Sequence, residues 1–229
     1  MRPGEKEVLA AEFADSRILI AAYTRRLFSL DHHADGSVTL EPVGINRKAP
    51  GSNLDIPALE TAGPGGYYDL YISVSVTRSR NCCPYEWRIT NYFDWRGRDG
   101  MHCCNAEPDR VGSSWAGDLS LQADKYSGVY TGSGQSIDIW RSDVTPNEGV
   151  GWSFREHLNS WGTQYANHGH FFAWIREPKW KGLTANVGMK YFHTTGGTTG
   201  FSLGFLNASI SISPTSNQVS AAAYTSFSH

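Results

Sequence analysis

The chain has 229 residues, with 40% hydrophobic, 13% aromatic and 18% charged, a net charge of −2 and a pI near 6.4. That length suits one large all-β domain or two small ones, and the apolar content can build a sizeable core, which excludes a disordered chain. The near-balanced charge gives no reason to expect a nucleic-acid or anionic-membrane partner, and no apolar run is long enough to span a bilayer.

The low charge content is made up by Gly, Ser and Thr, a composition that fits many short strands joined by polar turns. The start, Met1-Arg2-Pro3-Gly4-Glu5-Lys6-Glu7, lacks an apolar stretch after its charges and does not read as a secretory signal. Residues 5–13 mix apolar residues with good helix formers and predict a short helix. Residues 17–23 read as a strand. Residues 27–33 and 37–43 read as a hairpin closed by Ala34-Asp35-Gly36, since Asp-Gly takes the positive φ of a tight turn. The stretch 46–66 carries Pro50, Pro57 and Pro64 and marks a long connection. We therefore divide the chain into an N-terminal arm and hairpin (1–66), a body (67–213) and a C-terminal strand or tail (214–229).

In the body, residues 67–76 and 84–93 alternate Tyr, Trp, Ile and Val with polar residues, as half-buried strands do. Residues 96–114 are rich in Gly, Cys, Asp and Arg and read as a loop. Further strands are expected at 119–123, 129–131, 137–142 and 150–157. Residues 167–174 predict a helix, with Asn167 as N-cap and Phe171, Phe172 and Ile175 as its apolar face. The last strands are expected at 185–194, 201–212 and 218–228, and there is no internal repeat.

Four cysteines come as two adjacent pairs, Cys82-Cys83 and Cys103-Cys104. Adjacent side chains on a strand point to opposite faces, so two antiparallel strands can be joined by two disulfides, although four cysteines allow three connectivities. Disulfides imply an oxidising, extracellular or surface-exposed destination. A zinc site is the alternative, but its thiolates are usually spaced by about two to four residues. His168-Gly169-His170 and His32-His33 lack a spaced third ligand, so we expect neither metal nor cofactor. Asn207-Ala208-Ser209 is a glycosylation sequon. Residues 208–213 and 218–227 alternate small polar with apolar residues, the pattern of a half-exposed hairpin and also of a membrane-inserting one.

The run Tyr85-Glu86-Trp87-Arg88-Ile89-Thr90 places a carboxylate within a strand pattern. Period-two alternation puts Glu86, Arg88, Thr90 and Tyr92 on one face and Trp87, Ile89, Asn91 and Phe93 on the other. A polar and aromatic face with one carboxylate suits a polysaccharide groove, where hydroxyls need hydrogen bonds and sugar rings pack on aromatic rings. The same face also suits the solvent side of an ordinary sandwich, with Glu86 paired to a nearby cation.

Taken in order, Gly66-Tyr67-Tyr68-Asp69-Leu70-Tyr71, Tyr85-Glu86-Trp87-Arg88-Ile89, Ser136-Ile137-Asp138-Ile139-Trp140 and His170-Phe171-Phe172-Ala173-Trp174-Ile175 resemble segments of the retaining β-1,4-glycanases of glycoside hydrolase families 11 and 12. The resemblance covers about residues 67–213. It implies a β-jelly roll, with Glu86 in the nucleophile position and residues 170–175 in the helix under the sheet. The family's acid/base segment is similar to Phe192-His193-Thr194-Thr195-Gly196-Gly197-Thr198-Thr199-Gly200, with Thr195 near the place of the acid/base Glu. Residues 178–229 contain no Asp or Glu, and threonine cannot protonate a glycosidic oxygen near neutral pH.

The expected fold is therefore all-β, a two-sheet jelly roll or sandwich with an added N-terminal hairpin. The expected function is recognition of a polysaccharide or glycan along a concave sheet face lined by Glu86, Arg88, Tyr92, Trp95 and Thr195, without ordinary retaining hydrolysis. The alternative is a structural sandwich subunit of a virion or cell-surface assembly that associates with itself. An active endo-β-1,4-glycanase needs a second carboxylate about 5–9.5 Å from Glu86, for which Asp94, Asp138, Glu148 and Glu156 are the candidates.

Overall fold

A computed structural model describes residues 18–35, 37–48, 68–79, 86–97, 108–124, 127–156, 165–177, 182–194, 202–213 and 218–229. They form fifteen strands and no helix. In chain order these are β1 (Ile18–His32), β2 (Val38–Lys48), β3 (Tyr68–Ser79), β4 (Glu86–Gly97), β5 (Asp109–Trp115), β6 (Ser120–Ala123), β7 (Gly128–Thr131) and β8 (Ser136–Ile137). They continue with β9 (Ile139–Thr145), β10 (Gly149–Phe154), β11 (Ala166–Arg176), β12 (Thr184–Thr194), β13 (Ser202–Leu206), β14 (Ser209–Ser213) and β15 (Gln218–Ser228). The 8-stranded sheet runs β2-β1-β3-β4-β11-β7-β8, with β6 also on β11. The 5-stranded sheet runs β15-β12-β5-β10-β9, and β13 and β14 pair with each other as a third, 2-stranded sheet. The molecule is a β-sandwich of antiparallel sheets, with the β1–β2 hairpin added to the edge of the larger sheet through the pairing of β1 with β3.

Alternation explains the sandwich. Leu70, Ile72, Val74 and Val76 of β3 are buried inward, as are Trp87, Ile89 and Phe93 of β4. From the smaller sheet they meet Val111 and Trp115, Val150, Trp152 and Phe154, Val187 and Met189, and Phe227. Aromatic rings stitch the two layers: Phe93 stacks on Phe154 at 5.3 Å, Trp152 meets Phe171 at 5.2 Å, and Trp87 meets Phe227 at 4.7 Å. Each such ring contributes on the order of 2–3 kcal/mol by burial alone.

Four elements differ from the sequence reading. Residues 167–174 belong to strand β11, not a helix, because Gly169, Phe171, Ala173 and Ile175 face the core while His168, His170, Phe172 and Trp174 face outward. Apolar residues on both faces of that strand also satisfy a helical period, which misled the pattern. Residues 17–23 and 27–33 belong to one strand, β1, that runs through Thr24-Arg25-Arg26. Arg25 lies over the Tyr71 ring at 4.3 Å, and Arg26 donates to the Ala222 carbonyl at 2.8 Å, so one charge finds its partner on β3 of the same sheet and the other on β15 of the smaller sheet. Part of the expected 96–114 loop is β5. The single element expected at 201–212 is a hairpin, turned at Asn207 and Ala208 with φ of 48° and 64°. Those positive angles match the favoured two-residue hairpin turn. The expected helix at 5–13 lies outside the described residues.

Candidate functional site

Cross-strand register assembles one outward face on the larger sheet. Ser73, Tyr92 and His170 form one row, Ser75, Thr90 and Phe172 the next, Thr77, Arg88 and Trp174 the third, and Glu86 pairs with Arg176 at the end. The expectation that Glu86, Arg88 and Tyr92 share a face therefore holds as geometry. The centre of that face is closed, however: Tyr92 is only 3% exposed, and Ser73, Ser75, Thr77 and Thr90 are buried with it. Its open part is a strip along β11. Tyr130 stacks on the half-buried His170 at 5.8 Å and on the buried His168 at 5.5 Å. His170 then meets Phe172 at 5.1 Å, and Phe172 meets Trp174 at 5.8 Å. The Arg88 guanidinium sits 5.4 Å above Phe172, and Glu86 lies 4.0 Å from Arg176 with both side chains half exposed.

Trp95 is not part of this face. Its odd position along β4 turns it into the sandwich, where its indole N–H donates to the Tyr191 hydroxyl at 3.0 Å. Thr195, Cys82, Cys83, Cys103 and Cys104 lie outside the described residues. Asp94 shares the face with Glu86 but stands eight residues along the same strand, roughly 27 Å away at the ordinary strand rise. That distance rules the two out as a glycosidase pair. Glu156 is buried, and its charge helps to hold up the pKa of Tyr191. Asp138 and Glu148 lie at the two ends of β9, in the link from β8 and the turn to β10. His168 and His170 both face outward, and among the described residues no group of three or more His, Cys, Asp or Glu is arranged to hold a metal ion.

The densest polar chemistry was not anticipated. Asp109, at the start of β5, accepts hydrogen bonds from the Tyr191 hydroxyl and from the Thr194 backbone N–H at 3.0 Å. The His193 Nδ1 lies 3.1 Å from the same carboxylate. Burial, and then the neighbouring Asp109 charge, push the Tyr191 hydroxyl well above the usual tyrosine pKa. All three side chains are sealed from solvent, so the cluster ties β5, β12 and, through Trp95, β4 across the two sheets. No local pattern signals it, since Asp109 lies 82 residues from Tyr191.

No protein-family model matches this chain, and no curated protein matches it significantly. Among solved structures it is similar to the T6 backbone pilin of serotype M6 Streptococcus pyogenes, described as a modular three-domain structure, with a TM-score of 0.37 and 8% identity. The match covers 90% of this chain and 61% of the pilin chain, so this chain spans about three fifths of that protein's length.

Proposed function

We propose that this chain is a structural β-sandwich subunit that joins a second copy of itself through the open edge of its smaller sheet. The observation that carries this reading is β9. It ends the 5-stranded sheet and, among the described residues, pairs only with β10, while Trp140 and Val144 on it are 43% and 41% exposed. An edge strand with free backbone groups and exposed apolar side chains is a template for another strand. The other long edges, which expose Val43 and Tyr224, each carry a feature that interrupts strand pairing. On β2, Pro42 has no N–H to offer and Glu41 beside it is exposed, and on β15 the Ala222 carbonyl is already taken by Arg26. The one exposed cation of β9, Arg141, is held by Asp124 at 3.3 Å.

Sedimentation velocity over a concentration series tests the reading. Wild type associates, and the double variant Trp140→Lys, Val144→Lys sediments as a monomer with little change in its unfolding midpoint. A wild type that stays monomeric throughout the series overturns it.

Glycan recognition is a second reading, favoured by the row of Tyr130, His170, Phe172 and Trp174 beside Arg88 and Glu86. Half-buried rings in a row offer stacking faces for sugar rings, and the flanking charges offer hydrogen bonds to hydroxyls. Retention on insoluble cellulose, xylan or chitin that is lost in Trp174→Ala supports it. No retention on any of the three removes it, and with it the resemblance to glycanases as a guide to function.

A further inference from the structure

We propose that Lys190 is an acyl-acceptor site, the most reactive of the chain's six lysines at neutral pH, and that it takes its acyl group from small acyl phosphates. The inference rests on the outer face of the smaller sheet around β12, not on the β9 edge or the aromatic strip. It stands or falls separately from both readings above.

The first observation is where the side chain sits. Alternation along β12 turns Val187, Met189 and Tyr191 into the core and Lys190 to the outer face of the smaller sheet. The β13–β14 hairpin packs on that face, with Leu203, Phe205 and Ile210 clustered against Phe192. Gly112, opposite Lys190 on β5, lets it approach closely: a Cβ there would stand 3.0 Å from Ile210. The Lys190 side chain is half buried as a result. Its ammonium lies 5.0 Å from the centre of the Phe192 ring and donates to the Ile210 carbonyl at 3.4 Å.

The second observation is the charge around it. Lys190 is the last charged residue of the chain: residues 191–229 contain no Asp, Glu, Lys or Arg. The strands β13, β14 and β15 all come from that stretch, so none of them brings a carboxylate. The β15 residue opposite Lys190 is Ala222, with the Tyr224 hydroxyl group two positions along. On β5 the charged residue of the same face is Arg110, which already holds Asp143 of β9. From β1, Arg26 reaches the Ala222 carbonyl. The charged groups on the flanking elements are therefore two guanidiniums and one carboxylate, and one of the guanidiniums holds that carboxylate.

Seat and charge act together on the amine. A lysine desolvated beside apolar groups gives up its proton more easily, and the unprotonated amine is the nucleophile. The ring face and one long hydrogen bond favour the ammonium only weakly, no acid adds to them, and burial lowers the Lys190 pKa from its ordinary value. In the reaction, the amine lone pair attacks the carbonyl carbon of the acyl phosphate and a C–N bond forms. The C–O bond to phosphate breaks, and inorganic phosphate leaves with the proton released by the nitrogen. The product amide is neutral, so the contact of a cation with the Phe192 ring is lost.

Incubation of the full chain with acetyl phosphate, with acetylation of each lysine followed by peptide mass spectrometry, tests the proposal. At about pH 7.5, Lys190 should react about fivefold or more faster than the mean of Lys6, Lys48, Lys125, Lys179 and Lys181. That lead should vanish near pH 10.5, where ordinary lysines also give up their protons. Ala222→Asp sets a carboxylate across from Lys190 and should slow its acetylation about twofold to fivefold at the lower pH. The neutral counterpart Ala222→Asn should leave the rate unchanged, with thermal unfolding showing that both variants fold. The wild-type comparison decides without either variant. Lys190 reacting no faster than the other lysines, a lead that persists at high pH, or equal slowing by Ala222→Asp and Ala222→Asn would each overturn the proposal.

Discussion

Tyr191 shows how one buried hydroxyl sets a pH limit on the fold. Its folded pKa is raised, so the stabilisation it gives is fully present below the unfolded value near 10 and is lost as pH rises toward the folded value. In that window the unfolded chain has released a proton that the folded chain keeps. Stability should therefore fall by up to about 1.4 kcal/mol per pH unit from this group. Tyr191→Phe should remove that part of the alkaline slope and cost about 1 kcal/mol at neutral pH, read from urea unfolding across pH 8–11. An alkaline slope identical to wild type would show that the hydroxyl is not held as described. Asp109→Ala should be worse, because it leaves the Tyr191 hydroxyl and the Thr194 N–H without their acceptor at a cost of about 1–3 kcal/mol each. Little of this was legible in the sequence. His193 stood out only as part of the run similar to the glycanase acid/base segment, and Asp109 sat in a stretch whose Gly, Cys and Arg residues hide the short period of β5.

At the scale of the element, β11 was read as a helix and is a strand, and the reason is local. Phe171, Phe172 and Ile175 satisfy a helical period, while Gly169 and the β-favouring aromatics satisfy a strand, and pattern alone does not choose between them. Tertiary packing does. A Cβ on Gly169 would stand 2.6 Å from the Phe93 ring and 3.1 Å from the Gly128 carbonyl oxygen, so this glycine is where β4 and β7 close around β11. Gly169→Ala should destabilise the protein by about 1–3 kcal/mol through overpacking, measured by thermal or urea unfolding. A neutral effect would mean that β11 sits less tightly than the contact implies. The strands that were legible, β3, β4, β12 and β15, alternate a mainly apolar with a mainly polar set in sequence, although β3 and the middle of β4 are buried on both faces. The strands that were not carry polar residues satisfied only by distant partners, as Arg25 and Arg26 are on β1.

For the whole molecule, the question is what force brings copies together. Apolar contact at β9 and ionic contact make opposite forecasts for added salt. Arg110 already holds Asp143 at 3.4 Å, and Arg141 holds Asp124, so the two charged residues of β9 itself are paired within the subunit. The exposed apolar side chains there are Trp140 and Val144. Ion pairs between subunits would weaken as the Debye length shrinks from about 10 Å at 0.1 M to about 3 Å at 1 M. Burial of Trp140 and Val144 would not weaken, and sulfate would strengthen it through exclusion from apolar surface. The association constant from sedimentation should therefore hold level or rise between about 0.1 and 1 M salt. A fall of tenfold or more over that range would mean that charged surface elsewhere drives association, and that the β9 edge is not the joint.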